Sequence, residues 1–192
     1  MGKVYLGEEF FSDVHTHLKE VIVNKTVNIL KKPASRYQVD EEGVVKTIEF
    51  DFTGAFDEIT SINAHGLYSA FFECTGITGS VSFPKLTSID TYGLYYGFSD
   101  CTGITGSVSF PKLTSIGTYG LYYAFQGCTG ITGSVSFPEL TTIESNGLDY
   151  AFQGCTGITE LHFRADAQSV IESQNGYSTN FGATNATIYF DL

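Results

Sequence analysis

The sequence has no tryptophan, one methionine, four cysteines and four prolines in 192 residues. Four cysteines are too few for a disulfide scaffold. No C-x-x-C pair exists among them, so a zinc site has no support. Positive charge is also scarce, with 10 Lys and Arg against 21 Asp and Glu and a net charge of −11. That balance repels phosphates and argues against nucleic acid. It disfavours anionic membrane surfaces for the same reason. No apolar run approaches the ~18 residues of a membrane span. The opening Met1-Gly-Lys-Val-Tyr-Leu lacks the basic and long apolar stretches of a secretory signal. The expectation is that the protein does not use that route as a separate chain, or that a leader was removed. Apolar residues make up 42% and charged residues 16%. That composition builds a core and does not describe a disordered acidic tail. The length suits one domain or two small ones.

What the chain has is a repeat. Cys74-Thr-Gly-Ile-Thr-Gly-Ser-Val-Ser-Phe-Pro-Lys-Leu-Thr-Ser-Ile recurs almost unchanged from Cys101 and Cys128, and in shortened form from Cys155, with a step of 27 residues. Ladders follow: Ile77, Ile104, Ile131 and Ile158; Pro84, Pro111 and Pro138; Ile62, Ile89, Ile116 and Ile143. Leu67, Leu94, Leu121 and Leu148 run in phase with Phe71, Phe98, Phe125 and Phe152. A unit this short cannot bury its own apolar face, so equivalent coils must stack like on like.

Within each coil, Val81-Ser-Phe83 and its copies alternate and read as strands. Successive strands would pair in parallel about 4.8 Å apart, ended by the proline that follows. Leu94 and Phe98 are i, i+4 and Cys101 is three further on, which predicts one face of a short or partly 3₁₀ helix. Gly97, with alanine at 70, 124 and 151, marks a small slot for close coil contact. Gly103, Gly106 and their copies mark the corner before the strand.

The last coil reads Cys155-x-x-Ile158-x-x-Leu161-x-Phe163, and the one before supplies Phe137-Pro138, Leu140, Ile143, Ala151-Phe152 and Cys155. This resembles the BspA-like leucine-rich repeat family, whose pattern is C-x-x-L-x-x-I-x-L-P-x-x-L-x-x-I, a spacer, then A-F-x-x-C. The likeness spans about residues 46 to 163. Two features depart from it: a longer spacer, and an extra residue in three coils (Thr78-Gly79-Ser80 in the first), which reads as a bulge. The resemblance implies an α/β fold, a right-handed leucine-rich-repeat solenoid. Short parallel strands would stack coil on coil with short helical turns opposite. It also implies surface or secreted binding roles in host-associated bacteria, without catalysis.

A solenoid needs caps. Residues 164–192 fit, with a helix of about ten residues from Arg164, a stop near Gly176, and a closing strand over Ala186 to Asp191. Residues 1–44 carry no repeat and read as a cap or an attachment segment. Within them, Val21 to Leu30 looks like one strand or two, and Lys31 to Glu42 like a connecting loop. Residues 45–163 are the repeat region. Its first coil is degenerate, with Ile48, Phe50 and Phe52 strand-like, before Ile59, Ile62 and Gly66-Leu67 rejoin the register.

Chemistry is thinly represented. The cysteines share the apolar face with Leu and Phe and read as reduced core residues, although stacked copies would lie within disulfide reach. Asp13, His15 and His17 would share one face of a strand as a metal set or, as readily, a polar terminus. His65 takes a slot held by Tyr92, Tyr119 and Asn146 and reads as a variable loop residue. His162 reads as a lone surface histidine. Asn24 and Asn185 open glycosylation patterns. Glu41-Glu42 has no apolar pocket to raise a pKa. No nucleophile motif, phosphate loop or cofactor signature appears.

The tyrosines stand out. Tyr95-Tyr96 and Tyr122-Tyr123 recur in phase, with Tyr68 and Tyr150 completing partial copies. On a helical turn Tyr96 would point away from the core and Tyr95 would lie at its border. A stripe of Tyr96, Tyr123 and Tyr150, with Tyr95 and Tyr122 beside it, suits a protein or glycan surface. The alternative is that the rings only shield the turn layer. The function expected is a non-catalytic module binding a host or bacterial surface protein or glycan, with no cofactor, metal, nucleic acid or membrane span. A phage-derived virion or tail-associated receptor-binding protein is the first alternative, and an enzyme, which no motif supports, is the second.

Overall fold

The computed structural model describes residues 56–192, and before them the backbone of four short strands: β1 (Thr26–Val27), β2 (Tyr37–Val39), β3 (Val45–Thr47) and β4 (Phe50–Asp51). After each corner, marked by proline in all but the first coil, the chain reads Leu-Thr-Ser-Ile (Ile59-Thr-Ser-Ile62 in the first), and its last two residues form a strand. These are β5 (Ser61–Ile62), β7 (Ser88–Ile89), β8 (Ser115–Ile116) and β10 (Thr142–Ile143), the last with Thr for Ser; β6 (Ile77–Thr78) lies between β5 and β7 in the chain. β1, β5, β7, β8 and β10 make one parallel sheet. Its register sets Ile62 beside Ile89, Ile89 beside Ile116 and Ile116 beside Ile143. The isoleucines point inward and are at most 8% exposed. The preceding threonines donate their hydroxyls to the previous coil: Thr87 to the Thr60 carbonyl at 2.9 Å, Thr114 to Thr87 at 2.9 Å and Thr141 to Thr114 at 3.2 Å.

A second parallel sheet joins β9 (Thr132–Phe137), β11 (Gly157–Phe163) and β12 (Thr187–Phe190). Phe137 pairs with Phe163, and Phe163 with Phe190. The strands expected at Val81-Ser-Phe83 and Val108-Ser-Phe110 are reduced to a single bridge, Ser82 to Ser109. A left-handed glycine precedes each (Gly79, φ 80°; Gly106, φ 76°) and a proline follows, but Gly133 (φ 80°) and Pro138 flank β9 in the same way, and β9 forms its ladder with β11 of the shorter last coil, which lacks both residues. The bulge appears between Ile158 and Glu160, where the coil with the extra residue meets the shorter last coil.

The spacer is not helical. Among the described residues, helices occur only after residue 164. In an α-helix each N–H bonds back to a carbonyl four residues earlier. Here the donors alternate. Gly93, Tyr95 and Gly97 bond to carbonyls three residues back, while Leu94, Tyr96 and Phe98 bond to Gly120, Tyr122 and Ala124 of the next coil at 2.8, 3.0 and 2.8 Å. Every fourth residue is left-handed: Tyr92, Tyr96 and Asp100 in one coil, Tyr119, Tyr123 and Gly127 in the next. The spacer is thus a ribbon of tight turns, bonded coil to coil. Its period of four still sends Leu94 and Phe98 inward, as the i, i+4 spacing requires.

The core is columnar. Phe98 lies on Phe125 with ring centroids 5.3 Å apart and 4° between planes, and neither is exposed. Phe83, Phe110, Phe137 and Phe163 form a second column at 5.3–5.4 Å. Phe56 heads it, 4.7 Å from Phe83. Glycine is required where coils touch: a Cβ on Gly103 would collide with the carbonyl oxygens of Ile77 and Thr75, and one on Gly130 with that of Ile104.

The ends differ from expectation in detail. The segment read as a loop over Lys31 to Glu42 contains β2, which pairs antiparallel with β3. Within Val21 to Leu30, Thr26–Val27 is strand; the remainder, with Asp13, His15, His17, Asn24, Glu41, Glu42, Ile48 and Phe52, lies outside the described residues. After Arg164 a 3₁₀ turn (Ala165–Ala167) runs into α1 (Gln168–Glu172), shorter than ten residues of continuous α-helix. The Ser173 hydroxyl bonds the Val170 carbonyl at 2.7 Å, competing with continuation of the helix. The closing strand β12 falls where it was read.

Candidate functional site

The five tyrosines singled out lie together on the turn ribbon, on its outer side. Tyr95, Tyr96, Tyr122 and Tyr123 are half-buried and Tyr150 is 38% exposed. Stacking of the coils arranges them in columns. Tyr96, Tyr123 and Tyr150 stack at 4.9 Å per step. Tyr68, Tyr95 and Tyr122 stack beside them at 4.9 and 5.3 Å. A third column, not foreseen as part of the surface, is Tyr92 on Tyr119 at 5.1 Å, headed by His65. Its signal was the 27-residue phase of Tyr92 and Tyr119, the same phase that marked the other two columns. Neighbouring columns meet edge to face: Tyr95 with Tyr96 at 4.7 Å and Tyr122 with Tyr123 at 4.5 Å. Tyr95 and Tyr96 therefore share the outer surface rather than dividing into a border residue and an outward one.

Stacking turns each ring face toward the next coil. What remains for a partner is ring edges and hydroxyls. Tyr95, Tyr96 and Tyr122 are neutral at ordinary pH. Burial first, then the neighbouring phenols, pushes Tyr95 and Tyr96 up, and Tyr122 to about 12. Acidic side chains flank the columns, with Asp90 and Glu144 on one side and Glu73 on the other, all exposed. From residue 56 onward Lys and Arg are confined to Lys85, Lys112 and Arg164, all off the ribbon; Lys46 lies on β3.

The backbone beneath is unusual. Tyr92, Tyr96, Tyr119, Tyr123 and Tyr150 all have φ between 50° and 56°. For a bulky L-residue that conformation costs on the order of 1–2 kcal/mol. The same ribbon places glycine at two other left-handed positions, Gly127 and Gly154, and Asn146 ends the third column. Tyrosine at five such positions is a chemical choice that the backbone does not make.

Other candidates resolve into structure. All four cysteines are buried. The thiols of Cys101, Cys128 and Cys155 donate to the carbonyls of Phe71, Phe98 and Phe125 at 2.9, 3.1 and 3.0 Å. Burial raises their pKa values, Cys155 to about 12, so they are thiols and not nucleophiles. His162 is not the lone surface residue expected. It bridges Asp191 (2.8 Å) and Glu160 (3.1 Å) and lies flat on Tyr189. The Asn185 amide donates to the Thr156 carbonyl at 2.8 Å. Among the described residues no group of three His, Cys, Asp or Glu could hold a metal ion, and no helix is long and apolar enough to cross a membrane. Asp149 takes the place of a tyrosine in the second column. It is buried, its carboxylate accepts the Gly176 N–H at 2.9 Å, and burial raises its pKa.

Parallel strands in 27-residue register, columnar packing and few helices define a leucine-rich repeat protein. More narrowly, the chain belongs to the BspA type leucine rich repeat region family, whose six-copy model matches residues 49–181. No curated protein and no solved structure matches the chain.

Proposed function

We propose that this chain is a non-catalytic binding module that recognises a surface protein or glycan through its tyrosine columns. The module would be a right-handed solenoid of a surface or secreted bacterial protein. Residues 45–163 would be the repeats, 1–44 an N-terminal cap or attachment segment, and 164–192 a C-terminal cap. Pairing of β1 with β5 favours the cap at the first end. At the other end, the Phe181 carbonyl accepts the Phe152 N–H at 3.0 Å in place of a next coil, which favours a cap there too. The observation that carries the reading is the set of tyrosines on left-handed backbone. Their strain is about as large as their stacking gain of roughly 0.5–1.5 kcal/mol per pair, so stability alone does not account for them. Tyrosine offers broad contact at low entropic cost. The test is a glycan and host-protein array with the full chain, followed by the double variant Tyr96→Ala, Tyr123→Ala. Binding should weaken by about ten-fold or more, as for loss of interface hot spots. Retained binding would remove the columns as the contact surface.

A further inference from the structure

Where the third column, Tyr92 on Tyr119, ends, a cleft of about 570 Å³ opens between the coil at residues 143–146 and the turn after α1 at residues 173–175. Its size suits a small ligand, but its walls are polar; Ile143, the one apolar wall residue, is only 8% exposed. The polar groups are already oriented by partners. One Glu144 carboxylate oxygen accepts the Thr118 N–H at 3.0 Å and its hydroxyl at 2.8 Å, leaving the other oxygen as an acceptor. The Asn175 amide donates to the Asn146 side-chain carbonyl at 2.9 Å. The pair therefore presents an Asn146 NH₂ donor and an Asn175 carbonyl acceptor side by side. Gln174 donates to the carbonyls of Ile143 and Val170, at 3.5 and 3.3 Å, which leaves its own carbonyl as a further acceptor.

We propose that this cleft binds one neutral sugar residue of a glycan. One fixed donor, the Asn146 NH₂, among fixed acceptors on Glu144, Gln174 and Asn175 matches sugar hydroxyls, each of which both donates and accepts. A phosphate or carboxylate would meet Glu144 with no cation in the walls. An apolar ligand would strand the amides without partners. A cation would leave the Asn146 donors unused. The inference rests on the reading of the chain as a binding module, but on a site separate from the tyrosine columns. A glycan seated here would lead onto Tyr119, which stands one coil before Asn146 in the same column.

The test is NMR titration of the labelled full chain with lactose, cellobiose and N,N′-diacetylchitobiose, with glucose 6-phosphate as the charged control. At least one neutral disaccharide should shift the side-chain amide signals of Asn146 and Asn175 saturably, and the phosphate ester should not. Asn175→Ala, at an exposed position, should weaken that binding about ten-fold, as loss of a ligand hydrogen bond does. Lys112→Ala, exposed and away from the cleft, should leave it unchanged. No saturable shift with any of the three sugars overturns the inference. So does binding that survives both Asn146→Ala and Asn175→Ala. If such binding is instead lost in Tyr123→Ala, the sugar sits on the columns: the cleft is then refuted and the proposed function stands.

Discussion

The inner phenylalanine columns and the outer tyrosine columns have nearly the same geometry and opposite surroundings. Phe98 and Phe125 stack at 5.3 Å with 4° between planes; Tyr96 and Tyr123 stack at 4.9 Å with 14°. The coil step fixes both distances, because one residue in each coil must lie over its equivalent in the next. Burial separates them. Phe125 has no solvent exposure, whereas Tyr123 is half-buried and sits on left-handed backbone. Identical stacking thus holds the core in one place and displays chemistry in the other. Distance alone says nothing about which residues support the fold.

The largest effect should come from the inner column. Phe125→Ala should cost about 3–5 kcal/mol, as truncation of a large core residue does. Urea melts measure it, and a loss under about 1 kcal/mol would mean that the column is not core. The outer column should respond far less. Tyr123→Ala removes stacking on Tyr96 and Tyr150 but leaves alanine in the same left-handed conformation. Tyr123→Gly removes the ring and the backbone strain together. The glycine variant should therefore be the more stable of the two by about 1 kcal/mol. If alanine is as stable as glycine, the φ of this position carries no strain, and the case for tyrosine retained by function weakens.

Much of this contrast was legible in the letters. The 27-residue phase puts Phe98 over Phe125 and Tyr96 over Tyr123 without any coordinates. Phe56 was legible as well: Phe56-Asp-Glu-Ile59-Thr-Ser-Ile62 matches Phe83-Pro-Lys-Leu86-Thr-Ser-Ile89 position for position. Phe50 and Phe52 had drawn attention instead, because they alternate like a strand. The turn ribbon was not legible. Over eight residues, a period of four and a helical period of 3.6 place Leu94 and Phe98 on the same side. Only the hydrogen bonds distinguish them, and half of those run to the next coil. The polar cleft was hidden for a related reason. Its walls come from residues near 118, 144 and 174, and the last of these lies beyond the 27-residue sequence ladders. No phase relation connects Asn175 to Asn146.

A third ring stack, His162 on Tyr189 at 5.0 Å and 15°, extends the comparison to a residue that can change charge. It lies on the pair β11 and β12, with its side chain 18% exposed. The hydrogen bond to Asp191 chiefly, aided by Glu160, raises its pKa against the opposing effect of burial. Raising the folded pKa above the unfolded value of about 6.5 stabilises the charged form in the native state. That contribution is fully present below about pH 6.5. It is lost as pH rises through the folded pKa. The size should be under about 1 kcal/mol, because the pair is partly solvated and screened by salt. Melting temperatures of the wild type at pH 6 and pH 9 should differ by more than those of His162→Gln, which keeps a polar side chain without the titration. Equal pH dependence in both would show that His162 is held by its stack on Tyr189 alone, as the inner phenylalanines are held, and not by its charge.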